Sequence, residues 1–132
     1  MYRASNVYSS LPAGATAVVA SSGNVANAQA VATLAGAANM TTYISGFTIT
    51  ATGAAVAAAV TPTVTGVIGG VTLSYTVAAI AGVNANLPTV NVSFPYPIPA
   101  SATNTSIVVT LPALGAGNTN ATVSAYGFRL PS

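Results

Sequence analysis

The chain contains no cysteine, histidine, aspartate, glutamate, lysine or tryptophan, and its only charged side chains are Arg3 and Arg129. Each absence excludes a class of chemistry. General acid–base catalysis needs a side chain that exchanges a proton near neutral pH. Here only six tyrosines and the termini titrate below the arginine range. A Ser–His–Asp or Cys–His nucleophile cannot be assembled. Zinc, iron and copper sites draw on His, Cys and carboxylates. The expectation is therefore a protein that is not an enzyme and holds no metal or cofactor. With no cysteine, the disulfide signal that reports a redox compartment is missing too.

Charge is equally uninformative as a binding device. Nucleic-acid affinity arises largely from several Lys and Arg neutralising phosphates, and two arginines near opposite ends form no basic patch. The isoelectric point near 9.3 reflects how little there is to titrate. No nucleic-acid partner is expected. No membrane partner is expected either. The alanine-rich stretch 54–60 is far shorter than the roughly 20 apolar residues of a spanning helix. After Met1-Tyr2-Arg3, Ser5, Asn6, Ser9, Ser10 and Pro12 interrupt any apolar core of a secretory signal.

What is present is apolar and small. Hydrophobic residues make up 52% of the 132, led by 28 alanines and 17 valines, with threonines scattered among them. Disorder goes with low hydrophobicity, so a folded domain is expected, and 132 residues suffice for one. Residues 1–14 differ in texture, with Tyr2, Arg3 and Tyr8 among small polar residues before Pro12 and Gly14. They read as an extended N-terminal arm. Residues 15–132 read as a single domain.

Within that domain, short β-type runs alternate with turn signals. The runs are 15–21, 29–34, 41–52, 56–67, 71–81, 89–94, 106–111 and 121–130. In 41–52, Tyr43, Ser45, Phe47 and Ile49 are assigned to one face, Thr42, Ile44, Thr48 and Thr50 to the other. Gly46 inside that run signals a bulge or a close backbone approach. Pro62 bends 56–67 or sets it at an edge. Alanine favours helix over residues 54–60, but the flanking Thr, Gly and Pro62 oppose it. Residues 68–70 read as a tight hairpin loop and Asn84-Ala85-Asn86 as a turn. Pro95, Pro97 and Pro99 make a stiff extended segment that cannot donate ladder hydrogen bonds. Seven or eight strands of this kind predict an all-β antiparallel sandwich. A jelly roll with two Greek keys is the leading form, and an immunoglobulin-like sandwich the alternative. Phe47, Ile49, Leu73, Tyr75, Val92, Phe94, Val109 and Val123 are the predicted core.

Natural sheets guard their edges with lysine and other charges. This chain has none to use, and a near-neutral surface favours association. A homo-oligomer, dimer or trimer, is expected. Candidate partner contacts are Tyr2, Arg3 and Tyr8 in the arm, and Arg129. An arginine also serves as a fork for backbone carbonyls. Candidate carbohydrate contacts are Asn91, Tyr96 and Tyr126, with Asn104, Asn118 and Asn120 as further hydrogen-bonding amides. Gly115-Ala116-Gly117-Asn118 lacks the Lys-Ser/Thr of a phosphate loop and reads as a turn. Four Asn-X-Ser/Thr acceptor patterns, at Asn39, Asn91, Asn104 and Asn120, follow from composition.

The segments TTYISGFTITATGA (41–54) and VSFPYPIPASATNTSIVVTLPALGAGNTNATVSAYGFRL (92–130) resemble small uncharged β proteins encoded by tailed bacteriophages. The most specific portion is FPYPIPASA with LPALGAGNTNATVSAYGF, and the resemblance spans about residues 28–130. It implies a virion component: a capsid cement or decoration subunit, or a head-fibre module. Its implied partners are other copies of itself and the major capsid protein. Its implied location is the capsid surface, after assembly in the bacterial host cytoplasm. No catalytic residues come with it. The alternatives are a receptor- or carbohydrate-binding module of a head or tail fibre, and a self-assembling filament or surface-layer subunit.

Overall fold

The computed structural model describes residues 11–54, 58–79 and 81–132. Tyr2, Arg3 and Tyr8, and with them most of the expected arm, lie outside the described residues. Its last part, residues 11–14, leads into a turn in which the Ala15 amide donates to the Pro12 carbonyl.

Eleven strands account for most of the described chain. They are β1 (Thr16–Ser21), β2 (Ala30–Leu34), β3 (Met40–Ala54), β4 (Ala58–Val60), β5 (Thr63–Thr65), β6 (Leu73–Ser74), β7 (Val77–Ala79), β8 (Gly82–Asn86), β9 (Val90–Pro99), β10 (Ile107–Leu111) and β11 (Asn120–Pro131). Every pairing is antiparallel. The first sheet runs β1-β11-β3, and both β8 and β9 pair with the far side of β3. The second runs β2-β10-β5-β6, and β4 pairs with β7 in a small third sheet. The two large sheets pack face to face, so the protein is an all-β antiparallel sandwich.

The core lies between those sheets and follows strand alternation. In β10, Ile107, Val109 and Leu111 are fully buried, and Leu34, Ala32 and Ala30 of β2 are their buried cross-strand neighbours in the same sheet. From the first sheet come Ile44, Phe47 and Ile49 of β3, with Ala121, Val123 and Ala125 of β11. Alanine removes little apolar area, at roughly 25 cal/mol per Å2, so a few large side chains organise the interior. Phe47 is the centre of an aromatic cluster. The Tyr75 ring meets it edge-on at 5.1 Å, and Phe94 lies tilted at 6.2 Å.

Four of the eight predicted core residues, Phe47, Ile49, Val109 and Val123, are fully buried. Leu73, Tyr75, Val92 and Phe94 are half-buried and pack against them. The expected faces of β3 need correction. A bulge at Ser45–Gly46 breaks the register against both β11 and β9. An extra residue reverses the side-chain alternation beyond it. Thr42 and Ile44 therefore point inward before the bulge, Phe47 and Ile49 after it, and Tyr43 points outward.

Gly46 shows the close approach expected of it. A Cβ there would run into the Tyr126 hydroxyl, and would lie 2.5 Å from the Val92 carbonyl oxygen. Pro62 divides the run 56–67 into β4 and β5. It is itself buried, and its carbonyl accepts from the Tyr75 amide. The predicted run 71–81 likewise splits, into β6 and β7 on different sheets. Residues 68–70 form a 3-10 turn between β5 and β6, with Gly69 at φ 82°. The turn read at Asn84-Ala85-Asn86 is instead strand β8, held against β3 by the Thr52–Asn86 pairing.

Candidate interaction surface

The register of the first sheet fixes its outward face. Ala125 and Val123 of β11 face the core, so Ser124 and Tyr126 face outward. Tyr126 stands opposite Val19 on β1 and Gly46 on β3, and Gly46 stands opposite Ser93 on β9. In the row beyond, Phe128 is registered between Ala17 and Tyr43. Its ring stacks on that of Tyr43 at 4.9 Å and an interplanar angle of 13°. On the other side lies a polar row of Ser21, Ser124, Thr48 and Asn91.

The face is thus divided. One half is apolar and aromatic, the other is hydroxyl and amide. Val19 is 81% exposed and Tyr126 40% exposed, and they are direct cross-strand neighbours. Isolated exposed apolar residues are ordinary. A contiguous pair beside a sheet edge is a different observation, because β1 is the outermost strand of this sheet among the described residues. It reads TAVVAS, with no charge, no proline and no register shift against β11.

The predicted carbohydrate contacts separate. Asn91 and Tyr126 share the outer face, in adjacent rows. Tyr96, 88% exposed, belongs to the stretch of β9 that leaves the β3 register between Ser93 and Ile98. The proline segment thus does join a strand, but it bows off the ladder where its prolines lack donors.

Asn118 is not a surface amide. It is buried, its Oδ1 accepts from the Asn27 backbone amide at 2.9 Å, and its Nδ2 donates to the Thr52, Gly53 and Asn120 carbonyls. One side chain thereby ties the loop before β2 and the end of β3 to the start of β11. The glycine-rich loop before it is the turn expected: the Asn118 amide donates to the Gly115 carbonyl, and Gly115 and Gly117 have φ of 88° and 94°.

An open groove of about 280 Å3 lies nearby, lined by Thr50, Thr52, Asn86, Thr89, Asn120 and Thr122 with Ala51 and Leu87. Two of its polar side chains, Asn120 and Thr52, bond to each other and to Thr119. Asn120 Nδ2 donates to the hydroxyls of Thr52 and Thr119 at 3.0 and 3.2 Å.

Arg129 also has an intramolecular role. Its Nε and Nη2 donate to the Ala35 carbonyl at 3.0 and 2.7 Å, and the Thr42 hydroxyl reaches the same oxygen at 3.3 Å. The arginine fork clasps a backbone carbonyl across the end of the sandwich, joining β11 to the loop after β2. This is the one charged side chain among the described residues. The face formed by Val19, Tyr126, Tyr43 and their neighbours is electrically neutral.

No family model matches this chain, and no curated protein or solved structure is significantly similar to it.

Proposed function

We propose that this protein is a structural subunit of a virus particle, a self-associating cement or decoration protein on the head of a tailed bacteriophage. The observation that carries the reading is the neutral outer face of the first sheet, where an apolar row runs up to an unguarded edge strand. Such a surface suits a protein that works while covered by neighbouring molecules. Contacts made through apolar groups and backbone are little screened by salt. A chain without titrating carboxylates or histidines has little pH-linked stability to lose. Both properties suit a shell exposed to changing surroundings.

The strand order supports the finer fold reading as well. Setting β4, β7 and β8 aside leaves eight strands in two sheets, β1-β11-β3-β9 and β2-β10-β5-β6. Successive strands repeatedly cross between the sheets, the order of a jelly roll built from two Greek keys. The partners on this reading are other copies of the chain and the major capsid protein.

The experiment is the copy number of this chain in purified virions, by quantitative mass spectrometry against the major capsid protein. A simple ratio to the shell subunit is expected. Absence from particles refutes the reading. A handful of copies moves the protein to a tail or fibre and favours the second reading, a receptor- or carbohydrate-binding module. That reading draws on Tyr126, an exposed ring beside the polar row of Ser124, Thr48 and Asn91. A glycan array with no hits removes it.

A further inference from the structure

We propose that two copies of this chain join through β1, pairing antiparallel about a two-fold axis at Val19, so that their first sheets become one continuous sheet. The inference rests on the proposed self-association and names its surface.

The hydrogen-bond phase of β1 sets the geometry. The Ser22 amide donates to the Val123 carbonyl at 2.8 Å, and Ser21 is registered with Ser124. Antiparallel ladders alternate between residues bonded to the neighbour and residues bonded away from it. Thr16, Val18 and Ala20 therefore turn their backbone groups toward β11. Ala17, Val19 and Ser21 turn theirs toward the far edge, where no strand pairs among the described residues. An occupant that satisfies a row of alternating N–H and C=O groups is another extended strand.

A second copy fits that row. With the axis at Val19, Val19 pairs with its counterpart, and Ala17 of each copy pairs with Ser21 of the other. The opposed side chains are small, and no like charges meet. On the outer face, Tyr126 and Val19 of one copy line up with Val19 and Tyr126 of the next, so the apolar row is continued across the seam. The isologous arrangement closes at two copies. A six-residue edge is a small interface beside the roughly 1,200–2,000 Å2 of most specific complexes. The pair therefore forms at high protein concentration or on a scaffold that gathers the copies.

A nitroxide label tests the geometry in the full-length chain, which has no cysteine of its own. Ser124 is exposed and lies one strand away from the seam. Strands about 4.8 Å apart and a rise of about 3.4 Å per residue put the two Ser124 Cα atoms about 20 Å apart in the pair. Spin-labelled Ser124→Cys, at a concentration where sedimentation finds dimer, is expected to give an inter-copy distance near that value plus the label arms. Val19→Lys, at an 81% exposed site, is expected to raise the dimer dissociation constant by about tenfold or more and remove the distance. Val19→Pro is the second variant, because the amide it deletes points away from β11.

A dimer that keeps its distance and affinity in both variants overturns the edge pairing while self-association survives. A chain that sediments as monomer at every concentration overturns both. Protection of the Ala17, Val19 and Ser21 amides from hydrogen exchange in dilute monomer would assign the edge to an occupant within the same chain, and also overturns the proposal.

Discussion

Adding one methyl group at Gly127 is expected to damage this fold more than removing one from most surface positions. Gly127 lies on β11, opposite Ile44, where the register shifts past the β3 bulge. A Cβ built there meets the Tyr43 carbonyl oxygen, with the Tyr43 carbonyl carbon at 2.9 Å and the Ile44 Cα at 3.1 Å. All three are backbone atoms of β3, so no side chain can swing aside. β3 is also held on its far side by β9, and a retreat from β11 would strain that ladder. Overpacking costs about 1–3 kcal/mol where the surroundings partly yield, and each ladder hydrogen bond lost adds about 1 kcal/mol. Reduced freedom of the unfolded chain returns about 0.4–1 kcal/mol. The net expectation for Gly127→Ala is a loss of about 3 kcal/mol. For a domain of this size that is a fall in Tm of about 10 °C. Urea unfolding with a fixed m-value measures it. Ser124→Ala, three residues away on the exposed face, is the control and should stay within about 0.5 kcal/mol. A Gly127→Ala variant as stable as the control would refute the claim that the two strands meet too closely for a side chain.

Three further outcomes follow from single residues. Asn118→Ala leaves the Asn27 amide and three carbonyls without their shared partner, and at about 1–3 kcal/mol for an unsatisfied buried group the loss should reach about 3 kcal/mol by urea titration. Arg129→Ala removes two charge-assisted bonds to the Ala35 carbonyl and should cost about 1–2 kcal/mol. Hydrogen exchange in the loop after β2 should rise, whereas an arginine serving only solubility would change neither. The Tm should be nearly flat from pH 4 to 9, because the chain has no carboxylate, imidazole, thiol or amine side chain to titrate there. Burial raises the Tyr75 phenol above its ordinary value of 10.0, so the unfolded chain gives up that proton first. That contribution is intact below pH 10 and is lost as pH climbs through the folded-state value. Tyr75→Phe should remove part of the alkaline decline, and a Tm that moves by more than a few degrees between pH 4 and 9 counts against the account.

The fold class was legible because alternation and punctuation agree. Val109 and Val123 sit at every-second-residue positions in runs bounded by Gly, Asn and Pro, and both are fully buried in strands close to those expected. Alternation failed where one residue was inserted. The sequence YISGF offers Tyr43, Ser45 and Phe47 as one face, and nothing local distinguishes that from a bulged strand except Gly46. The reason for the bulge is tertiary: Tyr126 lies over Gly46, and a neighbouring backbone crowds Gly127. Asn84-Ala85-Asn86 misled for a related reason. Asn is depleted in strands by propensity, but at the end of an edge strand the pairing with β3 outweighs it.

The candidate surface divides the same way. An unguarded edge was foreseeable from the missing lysines, since a sandwich must have edges and this chain has almost no charge to place on them. That β1 ends its sheet among the described residues follows from the strand order, and that Val19 and Tyr126 meet beside it follows from the β1–β11 register; neither is visible in TAVVAS alone. Asn118 was the opposite error: an amide in a Gly-rich loop looks available, yet it is buried with every hydrogen-bonding group engaged in or near the fold. Arg129 falls between. The guanidinium fork for a backbone carbonyl was one of the readings open from sequence, and Ala35 is the carbonyl it finds. That arginine sits at the end of the sandwich, and the outer face of the first sheet carries no charged side chain among the described residues, so charge has little part in selecting a partner on that face. Selectivity on that face comes chiefly from shape and from the phase of backbone hydrogen bonds. An edge strand supplies both, since a shift of one residue would turn the outward row of Ala17, Val19 and Ser21 out of phase with its partner.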